Sequence, residues 1–91
     1  MHGEYKTPGG KMVIANLEVR DSRLTSVEVS GDFFLEPPEA LSDITGALEG
    51  APANLAEEEF VASVREALGP DVEMLGFSAE AVARAVKRAL A

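Results

Sequence analysis

Hydrophobic residues first recur at every second position. From Met12 to Arg20, Val13, Ala15, Leu17 and Val19 alternate with Asn16, Glu18 and Arg20, the period of a strand with one buried face. Asp21-Ser22-Arg23 supplies a polar turn, and Leu24 to Ser30 resumes the alternation with Thr25, Val27 and Val29 on one side and Ser26, Glu28 and Ser30 on the other. The two runs predict an antiparallel hairpin, and because a hairpin alone is marginal in water, its apolar face needs a cover. Carried past Val29, the same phase places Gly31 and Phe33 on the buried face and Asp32 and Phe34 opposite. A glycine there allows a second backbone to come close or marks a bulge. Asp32 then stands at a corner between sheet and helix, accepting N–H bonds from a turn or facing a partner.

The period then lengthens to three and four. Glu36-Pro37-Pro38-Glu39 ends the strand and opens a helix carrying Leu41, Ile44 and Leu48, with Gly50 as a left-handed cap. Gly46 weakens that helix by about 1 kcal/mol relative to alanine, a cost that close packing on the sheet would explain. Asn54 and Glu57 are spaced to cap a second helix with Phe60, Val61, Val64 and Leu68 inward, and Gly69-Pro70 ends it. Asp71 to Phe77 reads as a connection whose Val72, Met74, Leu75 and Phe77 plug the core edge. Ser78 caps a third helix with Val82, Val86 and Leu90 inward, and Glu80 stands four residues before Arg84, the spacing of a helix-face ion pair. The predicted class is α+β: an antiparallel β-hairpin of two to three strands covered on one face by about three helices.

Residues 1–11 are polar and contain Thr7-Pro8-Gly9-Gly10, so an extended N-terminal arm is expected there, with residues 12–91 forming a single domain. His2, the sole histidine, reads as a disordered terminal residue. Gly9-Gly10-Lys11 offers N–H groups and an ammonium to an anion, but lacks the spacing and following helix of a P-loop. A flexible lead-in to the first strand is the better reading of it.

Composition narrows the function. At 91 residues the chain is one domain whose large apolar residues serve a single core, leaving little for an enclosed substrate cavity. Sixteen acidic against eight basic residues give a net charge of −8, which repels a phosphate backbone, so no nucleic acid is expected as partner. Absence of cysteine removes disulfides, thiolate metal sites and thiol nucleophiles. No apolar run reaches the roughly 20 residues of a membrane span, and the start has no secretion signal. No membrane contact and a cytoplasmic location are expected. Glu57-Glu58-Glu59 falls in a first helical turn, where the dipole favours acids, and no histidine converges on it. No metal site and no catalytic residue are assigned, since Ser and Thr lack an activating base and Lys6 and Lys11 lack a desolvating pocket.

Taken in order, Lys6-Thr7-Pro8-Gly9-Gly10-Lys11, an alternating hairpin, Ser30-Gly31-Asp32-Phe33-Phe34, a Pro-Glu helix start and Leu48-Glu49-Gly50 resemble the C-terminal accessory domain of lipoate-protein ligases. In some archaea and bacteria this domain is a separate polypeptide. The likeness runs from about Glu4 to the last helix. It departs at Asp21-Ser22-Arg23, where Asp-Gly is more usual, and the third helix is less diagnostic.

The resemblance implies an accessory subunit that supports ATP-dependent activation of lipoate to lipoyl-AMP and lipoyl transfer to a lysine of a carrier domain. It implies that no cofactor is bound by this chain alone, and that lipoate, ATP and magnesium sit on a larger catalytic subunit. The implied partners are that subunit and, through it, the lipoyl-carrier domain. Lys6, Thr7, Pro8, Gly9, Gly10 and Lys11 are then the candidates for facing the partner's active site. Gly31, Asp32, Phe33 and Phe34 are candidates for a structural corner or interface. The alternative is a noncatalytic α+β protein-interaction module unrelated to lipoate. A small phosphate-dependent enzyme using Gly9-Gly10-Lys11 is the third reading.

Overall fold

The computed structural model describes residues 1–31, 34–36, 39–69, 73–75 and 78–91, with 34–36 and 73–75 described through their backbone. The order of elements is β1 (His2–Lys6), β2 (Met12–Arg20), β3 (Arg23–Gly31), β4 (Phe34–Glu36), α1 (Ala40–Leu48), α2 (Glu57–Leu68), β5 (Glu73–Leu75) and α3 (Ala79–Leu90). Strands β1, β2 and β3 form an antiparallel sheet in that order, and β4 pairs with β5 in a separate antiparallel ribbon. The class is α+β, with three strands in the main sheet, α1 and α3 packed on it and α2 packed against those two helices. The β4–β5 ribbon replaces the irregular connection expected around Met74 and Leu75. Phe77 and Val72, expected to plug the core edge, lie outside the described residues.

Alternation along β2 buries Val13, Ala15 and Leu17, while Val19, expected with them, is 38% exposed beside the turn. That turn has two residues, Asp21 and Ser22, both at positive φ (55° and 66°), between paired Arg20 and Arg23. This is the left-handed pair that suits the sheet's twist. In β3 the expected phase fails in its first half. Leu24 is buried, Thr25 only half-buried, and Val27 and Val29 are buried. A bulge causes the change: Leu17 faces both Ser26, at φ 52°, and Val27 between the pairs Glu18–Thr25 and Asn16–Glu28. One extra residue switches the face. The Glu49 carboxylate accepts the N–H groups of Ser26 (2.9 Å) and Val27 (3.0 Å), which point away from β2.

Where an arm was expected through residue 11, His2–Lys6 is instead the edge strand β1, and His2 is placed by Nδ1 to Asn16 Oδ1 (2.7 Å) and Nε2 to Glu4 Oε2 (2.6 Å). Gly3 makes this strand possible. A Cβ there would lie 2.2 Å from the Ala85 carbonyl oxygen and 2.3 Å from the Ala89 nitrogen, so strand and helix backbones touch. The buried side of α3 is correspondingly rich in alanine, with Ala81, Ala85 and Ala89 beside the expected Val82 and Val86. Leu90 is only partly buried.

Helix α1 buries Ala40, Ile44 and Leu48 and is followed by Gly50 at φ 81°. Gly46 has nothing within 4 Å of its Cβ position, so close packing does not explain it. Helix α2 starts two residues later than the Asn54 cap implied: Ala56 is the N-cap, and its N–H is taken by Glu59 (3.0 Å). Ser78 caps α3 as expected, accepting the Ala81 N–H at 3.1 Å. Charges link helices rather than decorating one. Glu80 pairs with Arg65 and Arg84 with Glu57 (3.1 Å), so the expected Glu80–Arg84 pair gives way to two bridges between α2 and α3.

Candidate functional site

Residues 7–11 form the β1–β2 turn. The Gly10 N–H donates to the Thr7 carbonyl (2.8 Å) and the Thr7 N–H to the Lys11 carbonyl (3.2 Å). Proline at the second position and Gly9 at φ 72° at the third give the type II arrangement, in which glycine is favoured for its positive φ. These bonds use the N–H groups of Thr7 and Gly10, and Pro8 has none. Gly9 keeps its N–H at the tip.

Strand register joins two stretches that sequence alone left apart. Lys6 pairs with Met12, and the next residue, Val13, pairs with Gly31. The Thr7–Lys11 turn and the end of β3 therefore occupy one end of the sheet. Gly31, expected on the buried face, is instead exposed, at φ 150° and paired with buried Val13. Asp32 and Phe33 lie outside the described residues, and Phe34 opens β4 through its backbone pairing with Leu75. Met12, 36% exposed, adds an apolar side chain to the same end.

The basic side chains are not all committed to partners. Of eight basic residues, Arg65 and Arg84 are ion-paired, while Arg23, Lys87 and Arg88 donate to the carbonyls of Gly50, Leu55 and Glu4. Among the described residues Lys6, Lys11 and, beside the β2–β3 turn at the other end of the sheet, Arg20, all exposed, have no hydrogen-bond or ion-pair partner. A chain of net charge −8 thus presents two uncommitted ammonium groups flanking one turn. Among the described residues no group of three metal-ligating side chains occurs, and no helix is long and apolar enough to cross a membrane.

Tyr5 anchors this end to α3. The guanidinium carbons of Arg84 and Arg88 lie 5.2 and 5.1 Å from its ring centroid, within cation–π range. Arg88 also reaches the Glu4 carbonyl at 3.0 Å, closing a polar group on the open side of β1. Sequence alone did not reveal Tyr5 or the contact that Arg84 and Arg88 make with it. The missing signal was the strand itself, since only pairing of residues 2–6 brings Tyr5 under α3.

No protein-family model matches the chain, and no curated protein matches it. Among solved structures, a chain described in a structural analysis of an archaeal lipoylation system, comprising a bipartite lipoate protein ligase and its E2 lipoyl domain from Thermoplasma acidophilum, superposes with a TM-score of 0.72 and 21% sequence identity. The match covers 94% of this chain and 97% of that one, so the two share their fold over nearly their whole lengths.

Proposed function

We propose that this chain is the accessory subunit of a two-part lipoate-protein ligase, supporting ATP-dependent formation of lipoyl-AMP and lipoyl transfer by a larger catalytic subunit. The supporting observation is the end of the sheet where an ordered turn carries unpartnered Lys6 and Lys11 beside the close of β3, in a fold shared with a chain from an archaeal lipoylation system. Lipoate, ATP and magnesium belong on the catalytic subunit. This chain contributes position: the turn is pre-ordered by its internal hydrogen bonds, so two cations and the Gly9 N–H meet the partner's phosphate-bearing site with little further ordering. Covering that site also excludes water from a hydrolysable adenylate.

Pyrophosphate release and lipoyl-AMP formation are measured with the catalytic subunit alone, this chain alone, and both. Activity should require both. Replacing Lys11 with alanine should lower the stimulated rate about 10-fold or more, the loss of one charge-assisted hydrogen bond of roughly 1.5–3 kcal/mol, without altering thermal unfolding. A catalytic subunit that is fully active alone and does not co-purify with this chain refutes the reading. Recovery of this chain with a different partner favours a general interaction module instead, and lipoylation of the chain itself would make it an acceptor.

A further inference from the structure

The two edges of the main sheet are finished differently. On β1 the outward Glu4 carbonyl is taken by Arg88. On β3 the first half is closed by the chain's own residues: Leu24 donates to the Ala51 carbonyl and accepts from the Gly50 N–H, Arg23 bridges Pro52 in antiparallel sense, and Glu49 takes the N–H groups of Ser26 and Val27. The second half has no such cover among the described residues. The Leu17 N–H donates to the Met1 carbonyl, on the β1 side, so Leu17, Ala15 and Val13 direct their backbone groups to β1. Val29 and Gly31, paired with Ala15 and Val13, consequently turn their N–H and C=O groups to the open edge.

Beside that edge runs a groove of about 330 Å³, lined by Val27, Glu28, Val29 and Ser30 of β3 and by Leu41, Ser42 and Thr45 of α1. Four consecutive strand residues line it although their side chains alternate between faces. The groove therefore follows the backbone of β3, not one face of the sheet.

We propose that this groove takes an extended segment of a partner protein as an additional antiparallel strand on Val29 and Gly31, with side chains alternating between apolar and basic. The chain already completes the same edge with its own residues 50–52, which identifies extended backbone as the occupant. Open N–H and C=O groups supply the affinity of strand addition, and alternate side-chain positions its specificity. On one side the guest meets Val27, Val29 and Leu41, which suit a β-branched apolar residue. On the other it meets exposed Glu28, which suits lysine or arginine. A second copy of this chain, also at −8, is disfavoured as the guest. The inference stands independently of the proposed ligase partnership.

The test selects random decapeptides by display on the immobilised full chain, then titrates synthetic copies of the enriched sequences into isotopically labelled protein. Enriched peptides should lack proline, alternate β-branched with basic residues, and shift the amide resonances of Val29 and Gly31 while slowing their hydrogen exchange. Ser42→Trp, which fills the groove from an exposed helix position, should weaken binding at least 10-fold with unchanged thermal unfolding, whereas Ala62→Trp on exposed α2 should not. Failure to enrich any such peptide, or equal binding to Ser42→Trp, overturns the proposal. So does sedimentation of the chain as a dimer that Ser42→Trp dissolves, because the guest is then a second copy.

Discussion

Gly3→Ala perturbs one contact whose geometry is fully on view. The new Cβ would stand 2.2 Å from the Ala85 carbonyl oxygen, 2.3 Å from the Ala89 nitrogen and 2.9 Å from the Ala89 Cα, where ordinary contacts begin at 3.4 Å. Relief requires β1 and α3 to separate by more than 1 Å, because all three obstructing atoms are backbone and no rotamer change moves them. Overpacking of a tight interior costs about 1–3 kcal/mol, and a double backbone collision belongs at the upper end, near 3 kcal/mol. A domain of 91 residues has a total stability of roughly 5–14 kcal/mol. Each kcal/mol moves the melting temperature of such a domain by about 4–8 °C, so the variant should melt about 12–24 °C lower by circular dichroism. Gly3 is not at positive φ, so backbone strain adds nothing and the loss is steric. Truncating Ala89 to glycine should not rescue it, since the atoms in the way remain. A Gly3→Ala variant within about 0.5 kcal/mol of wild type, by denaturant titration, refutes the backbone contact between β1 and α3.

Gly46→Ala should have the opposite sign: the position is interior to α1 with open space around it, so helix propensity predicts a gain of about 1 kcal/mol, read as a rise in melting temperature. Glu49→Ala removes both acceptors at the β3 bulge and should cost about 1–3 kcal/mol, with faster hydrogen exchange at Val27 than at Val29's buried neighbours. His2 should titrate above its ordinary value of 6.5, chiefly through its hydrogen bond to Glu4 and then that to Asn16. Because the folded state raises this pKa, its stabilising effect is fully present below about pH 6.5 and is lost as pH rises through the folded value. Proton NMR of the imidazole should show that displacement, and Glu4→Gln should reduce it.

What the sequence made legible follows from how local each signal is. Val13, Ala15 and Leu17 declared their strand because every second residue is buried by one face, and Ser78 declared its cap because the bond it makes spans three residues. The β3 bulge was hidden: Ser26 at positive φ is unusual for serine, and the acceptor that holds it, Glu49, lies more than twenty residues away. β1 was hidden because its inward positions are Gly3 and Tyr5, one without a side chain and the other capped by arginines from α3. Neither looks like a hydrophobic alternation. The same blindness divided the candidate site. Lys6–Lys11 and Gly31 were each singled out, but their meeting at one sheet end depends on register, which no local pattern of residues 6–11 specifies.

That meeting links the structural and functional predictions. Lys6 ends the strand that Gly3 seats against α3 and that Tyr5 and the Arg88–Glu4 bond hold in place. On the proposed function, the value of Lys6 and Lys11 lies in their fixed position relative to the partner, since a displacement of about 1 Å can cost a positioned group roughly 100-fold in rate. Gly3→Ala should therefore impair the stimulated adenylation at a temperature where the variant is still folded, although it touches neither lysine. Gly46→Ala, on a helix remote in sequence from β1, should leave stimulation unchanged while raising stability. Measured side by side, a folded Gly3→Ala chain that stimulates fully would separate the turn from the β1–α3 seam. The lysines would then act, if at all, without being held by it.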